Sequence, residues 1–366
     1  MIAQWIRSRE GYLIIAIVVV GAVTGLTHAN FFAASTMYAI IASGAILGVL
    51  ALGETMVIVG GGIDLSVAPI LGLSALVVGM LANNQGLPIS LGIIVALLIG
   101  IVLGAINGFL VVVARIPAIV ATLATLGIYG SLEFVYTNGL QVNGMPAAYL
   151  TFGNAVWLGV PSIVWVFALA LVLVWYFGKF TTLGRDIYAT GGNLNAAALR
   201  GVKTGRAIFS TYILSGVLSA VAGFLYIAYF ANATANTGGG TNLELKAITI
   251  ALIGGALIGG GRASFVGVAI ASMFLSMTLT VAVFFGVPGI WDAAAEGILI
   301  LAVVLGDATL GRRALSRVTG GLKRTARGPS GDHVGDALAE VGAKQMSELT
   351  TNRHSRLIVE GSHNDR

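Results

Sequence analysis

Apolar residues fill this chain in long blocks, and clusters of glycine, asparagine and proline cut the blocks apart. Ten can be marked, near residues 11–29, 35–53, 64–82, 89–113, 117–137, 161–177, 207–230, 245–260, 263–285 and 288–306. Each approaches the roughly 20 residues a helix needs to cross bilayer hydrocarbon. The pattern predicts an all-α polytopic membrane protein of about ten spans, with a range of eight to ten because one boundary is ambiguous. That boundary is Gly53 to Asp64, where three consecutive glycines predict a broken or re-entrant helix.

Composition agrees with the bilayer as solvent. Of 366 residues, 57% are hydrophobic and 10% charged, against about 25% charged in an ordinary soluble domain. So few ionisable groups cannot cover a soluble surface of this size.

Lys and Arg gather on the cytoplasmic side of short loops. Arg7 and Arg9, then Arg115, then Lys179, Arg185, Arg200, Lys203 and Arg206, then Arg262, then the cluster beginning at Arg312 all fall on one side if ten spans are counted. The loops His28 to Ala34, Asn83 to Pro88, Asn138 to Val160, Ala231 to Thr241 and Gly286 to Pro288 hold neither residue type. Both termini are expected in the cytoplasm. The net charge of +5 then reads as anchoring against membrane lipid, not as a nucleic-acid surface. Beyond about Gly311 charged and small polar residues take over, so a transmembrane domain over 1–310 and a disordered basic tail over 311–366 are expected, with a brief amphipathic helix near Asp336 to Leu349. Small residues at helical spacing, at Gly21/Gly25, Gly44/Gly48, Gly100/Gly104/Gly108 and Gly255/Gly259, suit close helix packing in lipid.

Catalytic chemistry finds no foothold. No cysteine occurs, which removes disulfides and thiolate chemistry. His333, His354 and His363 sit in the tail and His28 at a span end, so no pair makes a metal site, and neither a phosphate-binding loop nor a serine nucleophile elbow is present. No enzyme activity, cofactor or metal is expected of the chain.

Two segments depart from plain apolar helix. In Gly53 to Val67, Gly60, Gly61 and Gly62 interrupt the helix beside Glu54 and Asp64. Non-helical backbone at membrane depth needs protein or a water-filled cavity around it. Asp64 can cap the next helix through the amides of Ser66 or Val67, and a carboxylate such as Glu54 at that depth faces a cavity or a partner. The second segment is the basic loop from Phe177 to Arg206. There Asn193 can cap, Leu194 to Arg200 can form a short surface helix, and Gly201 can end it.

These segments resemble the permease subunits of ribose-type (monosaccharide) ABC importers, over about residues 35–307. Gly61-Gly62-Ile63-Asp64-Leu65-Ser66 matches that family's GGIDLS segment. Asn107-Gly108-Phe109-Leu110-Val111, and Ile116-Pro117 through Thr122-Leu123, match two further motifs. Gly191 or Gly192, Asn193, Ala196, Ala197, Gly201 and Val202 match its cytoplasmic pattern. The resemblance implies that Leu194 to Val202 couples the permease to a separate ATPase subunit, with Gly192, Asn193, Asn195, Ala196, Ala197, Arg200 and Gly201 at the coupling helix. Glu54, Gly60, Gly61, Gly62, Asp64, Ser66 and Asn107 become candidates for a gate or pathway. It also implies a second permease copy, an extracytoplasmic solute-binding protein, a monosaccharide or similar small polyol as solute, and the bacterial inner membrane as location. Asn195, where many relatives carry an acid, and Glu296-Gly297, where a basic residue before glycine is common, depart from the family pattern. An ion-coupled carrier using Glu54, Asp64, Glu133 and Glu296 is the competing reading.

Overall fold

The computed structural model of the chain describes residues 9–238, 240, 242–291, 294, 297–298 and 301. The expected tail, the basic cluster from Arg312, Glu296, Arg7, most of the 288–306 block and the helix expected near 336–349 lie outside the described residues.

Among the described residues, eight helices are long and apolar enough to span. They are α1 (Arg9–Thr27), α2 (Ala34–Val59), α3 (Val67–Gln85), α4 (Ile89–Val112), α5 (Ala118–Thr137), α7 (Ser162–Phe180), α10 (Thr204–Phe230) and α12 (Phe265–Phe284). The shorter helices are α6 (Ala147–Asn154), α8 (Thr182–Gly192), α9 (Leu194–Leu199) and α11 (Leu243–Ile253). Three spans form the centre. In its most apolar stretch α2 is 89% buried and α3 72%, against 17% for α1 and 22% for α4 and α7. Helix α10 packs on α2, α3 and α4, while α12 and α11 cover the other side of α2. Leu98, Val102, Leu123, Leu132, Leu169 and Leu173 stay exposed on the outer spans. A surface this apolar needs lipid against it.

Small residues explain how tightly the centre closes. A Cβ on Gly100 would strike the Gly216 carbonyl oxygen, and one on Gly104 the Tyr212 carbonyl oxygen, so α4 and α10 cross backbone against backbone. Gly44 and Gly48 do the same service for Met273, Ser272 and Phe167 against α2.

Two expectations change. Helix α2 continues through Gly53 and Glu54 to Val59, so the predicted 53–64 break narrows to 60–66. Gly53 is tolerated because its bare face lies against the Ser215 backbone. The block near 245–260 is not a continuous span. Helix α11 stops at Ile253, and residues 254–264 run without helix. Gly255 (φ +109°) therefore belongs to a turn, not to a helical pair with Gly259. Five glycines in the eight residues 254–261 supply the cause, the same signal that marks 60–62.

Arg9 and Arg262 line one cleft, Lys179 and Arg185 another, and the two clefts share Ala263 and Ser264. The opposite end is tied by two-residue strands. β1 (Val142–Asn143) pairs antiparallel with β4 (Asn232–Ala233), and β2 (Val156–Trp157) pairs with β3 (Val160–Pro161).

Candidate functional site

Helix α2 ends for a local reason. Gly62 N–H donates to Val57 O at 3.0 Å and Gly61 N–H to Ile58 O at 2.9 Å, the two bonds of a Schellman closure. Gly61 holds the left-handed position at φ +89°, which a side chain would strain. The chain then turns at Asp64. Its Oδ1 accepts the Ser66 amide at 3.0 Å and the Ser66 hydroxyl at 2.6 Å, just before α3 starts at Val67. Asp64 accepts the Ser66 amide as expected, but Ser66, not Asp64, stands at the N-cap, and no side chain caps the helix.

Around this turn the structure gathers the sequence candidates into one buried cluster. The Asp64 amide donates to both Glu54 carboxylate oxygens at 3.3 Å. Asn107 Nδ2 donates to Ser66 Oγ at 2.6 Å. The Ser215 hydroxyl donates to Asp64 Oδ2 at 3.0 Å, and the Thr122 hydroxyl to Ile63 O at 3.2 Å. Glu54, Asp64, Ser66, Asn107 and Ser215 are all fully buried. Side chains from α2, α4, α5 and α10 thus converge on a single turn. Burying such groups without partners costs far more than these hydrogen bonds return, so the cluster fixes the relative positions of the helices that bear it.

Ser215 had no sequence signal, since α10 carries several hydroxyls and its Asp64 partner lies 151 positions away. Beside the cluster, the buried Tyr212 hydroxyl and Asn107 Oδ1 find no hydrogen-bond partner among the described residues. Below the break opens a cavity of about 440 Å³, lined by Gly60, Gly61 and Gly62, Arg115, Thr190, Leu194, Tyr212 and Gly259. The glycine candidates therefore border open space, whereas Glu54, Asp64, Ser66 and Asn107 sit behind them.

The second segment holds two helices, and the basic loop is ordered throughout. Thr181 caps α8, accepting the Gly184 amide at 3.0 Å. Gly184, Ile187 and Thr190 face inward, seating α8 against the body, and burial raises the Tyr188 phenol above its ordinary pKa, leaving it neutral. Asn193 closes α8 and caps α9, its Oδ1 accepting the Ala196 amide at 2.9 Å. Gly201, at φ +83°, ends α9. Of the proposed coupling residues, Gly192, Asn193, Asn195, Ala196, Arg200 and Gly201 are exposed, but Ala197 is buried at 4%. Ala197 seats the helix on its own chain. The large apolar side chain turned furthest outward is Leu199, 90% exposed against 50% for Leu194, and sequence reading did not single it out.

Glu133 stands apart. It lies on α5 between Gly72 and Gly238, whose amide donates to its Oε2 at 3.4 Å. Eleven residues separate it from Thr122, about 17 Å along a helix, so Glu133 cannot share a site with Glu54 and Asp64. No group of three metal-ligating side chains occurs among the described residues.

Spans packed through glycine, a break stabilised by a buried polar turn, and a capped helix exposed among basic residues define a multi-span membrane protein, and its relatives make it a permease, a transport component rather than an enzyme. The chain belongs to the family described as the branched-chain amino acid transport system permease component, whose model matches residues 35–304. It is 36% identical to the autoinducer 2 import system permease protein LsrC of Yersinia pestis (strain Pestoides F), over 305 residues that cover 83% of this chain and 86% of the relative. The same protein of Yersinia pseudotuberculosis serotype O:1b (strain IP 31758) is similar to the same extent. No solved structure gave a significant match.

Proposed function

We propose that this chain carries a monosaccharide or similar small polyol inward across a bacterial cytoplasmic membrane as the permease subunit of an ABC importer. A separate ATPase subunit grips α9, an extracytoplasmic binding protein delivers solute to the end bearing the β-strands, and a second permease copy completes the path. Both termini face the cytoplasm, as the gathering of Arg9, Arg115, Lys179, Arg185 and Arg262 toward one end favours. The tail after 311 lies on the same side.

The single observation that carries this reading is α9. A helix capped at both ends, held from within by Ala197 and presenting Leu199 outward next to Arg200, offers a surface to a partner. An exposed apolar side chain in a polar rim is what a partner surface uses. A small polyol as solute is supported by the ribose-type motifs and by the relatives' part in autoinducer 2 import. The family description names branched-chain amino acids, so the solute needs a direct comparison.

Co-reconstituting the chain with its ATPase and binding protein tests the reading. ATP-dependent uptake of D-ribose but not L-leucine is expected. Uptake of leucine alone would overturn the solute class, and uptake driven by an ion gradient without ATP would overturn the mechanism.

A further inference from the structure

Three glycine clusters remote in sequence meet beside the cavity: Gly60 to Gly62 after α2, Gly191 and Gly192 at the end of α8, and Gly259 to Gly261 in the non-helical stretch after α11. Val59 O stands at their centre. It accepts the Gly261 amide at 2.8 Å. Gly191 presses against the same oxygen so closely that a Cβ there would overlap it. Gly260 and Gly261 lie in turn on the Gly191–Gly192 backbone. A Cβ on Gly260 would come 2.7 Å from the Gly191 carbonyl oxygen, and one on Gly261 would come 2.7 Å from Gly192 Cα.

This is contact of backbone with backbone. Side chains absorb displacement by changing rotamer, and here no side chain intervenes between the three strands of chain. A shift at the end of α8 must therefore move Val59 and 259–261 with it. Asn193 alone separates that end from α9, and its side chain is already committed to capping α9. On the other side, Val59 stands five residues before Asp64, with its buried cluster, and 259–261 leads back to α11.

We propose that Gly191 and Gly261 are positioning residues of a backbone joint, through which movement of α9 reaches both the 60–66 break and the 254–264 segment. The proposal rests on the coupling reading of α9 and goes further, naming what α9 pulls. It also gives a reason for glycine in the second interruption, where Gly260 and Gly261 lie on the Gly191–Gly192 backbone, and for Gly61 in the first, which stands over Gly191.

The experiment uses the complete importer with its ATPase and binding protein. Coupling between sites is commonly worth 5–150-fold, so Gly191→Ala should lower uptake per ATP hydrolysed by roughly fivefold or more while the ATPase stays attached and active. Gly127→Ala, where an added Cβ meets open space, should couple normally. Because Gly191→Ala can also fail to assemble, a second measurement leaves the joint intact. The chain has no cysteine, so spin labels can be placed at Leu194 and Ile258, or at Leu194 and Ile119, all about half-exposed. On ATP binding the Leu194–Ile258 distance should stay fixed while the Leu194–Ile119 distance changes. Normal coupling in Gly191→Ala, a changing Leu194–Ile258 distance, or no movement of Leu194 against Ile119 would each overturn the joint. If Leu199→Asp leaves ATPase attachment intact, the docking reading itself fails, a result separable from failure of the joint.

Discussion

Asp64 shows how much one residue can organise when it is buried and fully hydrogen-bonded. Its backbone amide engages Glu54 and its carboxylate engages Ser66 and Ser215. Removing one partner leaves a buried acceptor unsatisfied, which costs about 1–3 kcal/mol. Ser215→Ala should therefore lower the thermal unfolding temperature of the purified chain in detergent. Tyr212→Phe, three residues earlier, removes a hydroxyl that has no hydrogen-bond partner among the described residues and should cost nothing. Equal losses in both variants would contradict the network. The turn between Asp64 and Ser66 was legible in the sequence because its partners are two residues apart. Ser215 was not, because only the tertiary crossing of α10 over the break selects it from its neighbouring hydroxyls.

At the scale of elements, α9 is the most readable feature, and Ala197 is the one of its seven proposed coupling residues that turns inward. Asn193 and Gly201 are local signals, and both caps stand where their chemistry predicts. Six residues make too short a helix for periodicity to reveal its buried face, so Ala197 was assigned to the partner surface when it faces inward. The expected outcome for Leu199→Asp is loss of ATPase co-purification with normal membrane insertion; retained co-purification would remove α9 from the interface. Asn193→Ala forfeits a cap worth about 1 kcal/mol and should weaken co-purification without abolishing it, as read by titrating the ATPase against the reconstituted chain. Helix α11 was missed as a half-helix because the residues around Gly254 to Gly261 keep the block apolar. Hydropathy averages over an interruption that consists of glycine, since glycine ends a helix without adding polarity.

For the whole molecule, eight of the ten apolar blocks read from the sequence are long helices, and the block near 245–260 is interrupted. Hydropathy could not tell which spans are central, because lipid and protein interior are equally apolar. Burial separates them, placing α2, α3 and α10 inside and leaving α1, α4, α5 and α7 to face lipid. Sidedness is open to a direct check. A single cysteine at Leu158, in the turn between β2 and β3 and 91% exposed, should react with an impermeant thiol reagent on intact cells. A single cysteine at Ala198 should react only after permeabilisation. The reverse pattern would invert the topology and with it the direction of transport.

As a permease subunit of an ABC importer, the chain is a conduit driven by a separate ATPase. Uptake of labelled D-ribose into proteoliposomes tests this most directly, comparing the chain alone with the chain assembled with its ATPase and binding protein, under ATP and with no ion gradient. Concentrative uptake is expected only in the complete assembly, and its loss is expected with Leu199→Asp. Concentrative uptake by the chain alone, under an imposed proton or sodium gradient, would contradict it.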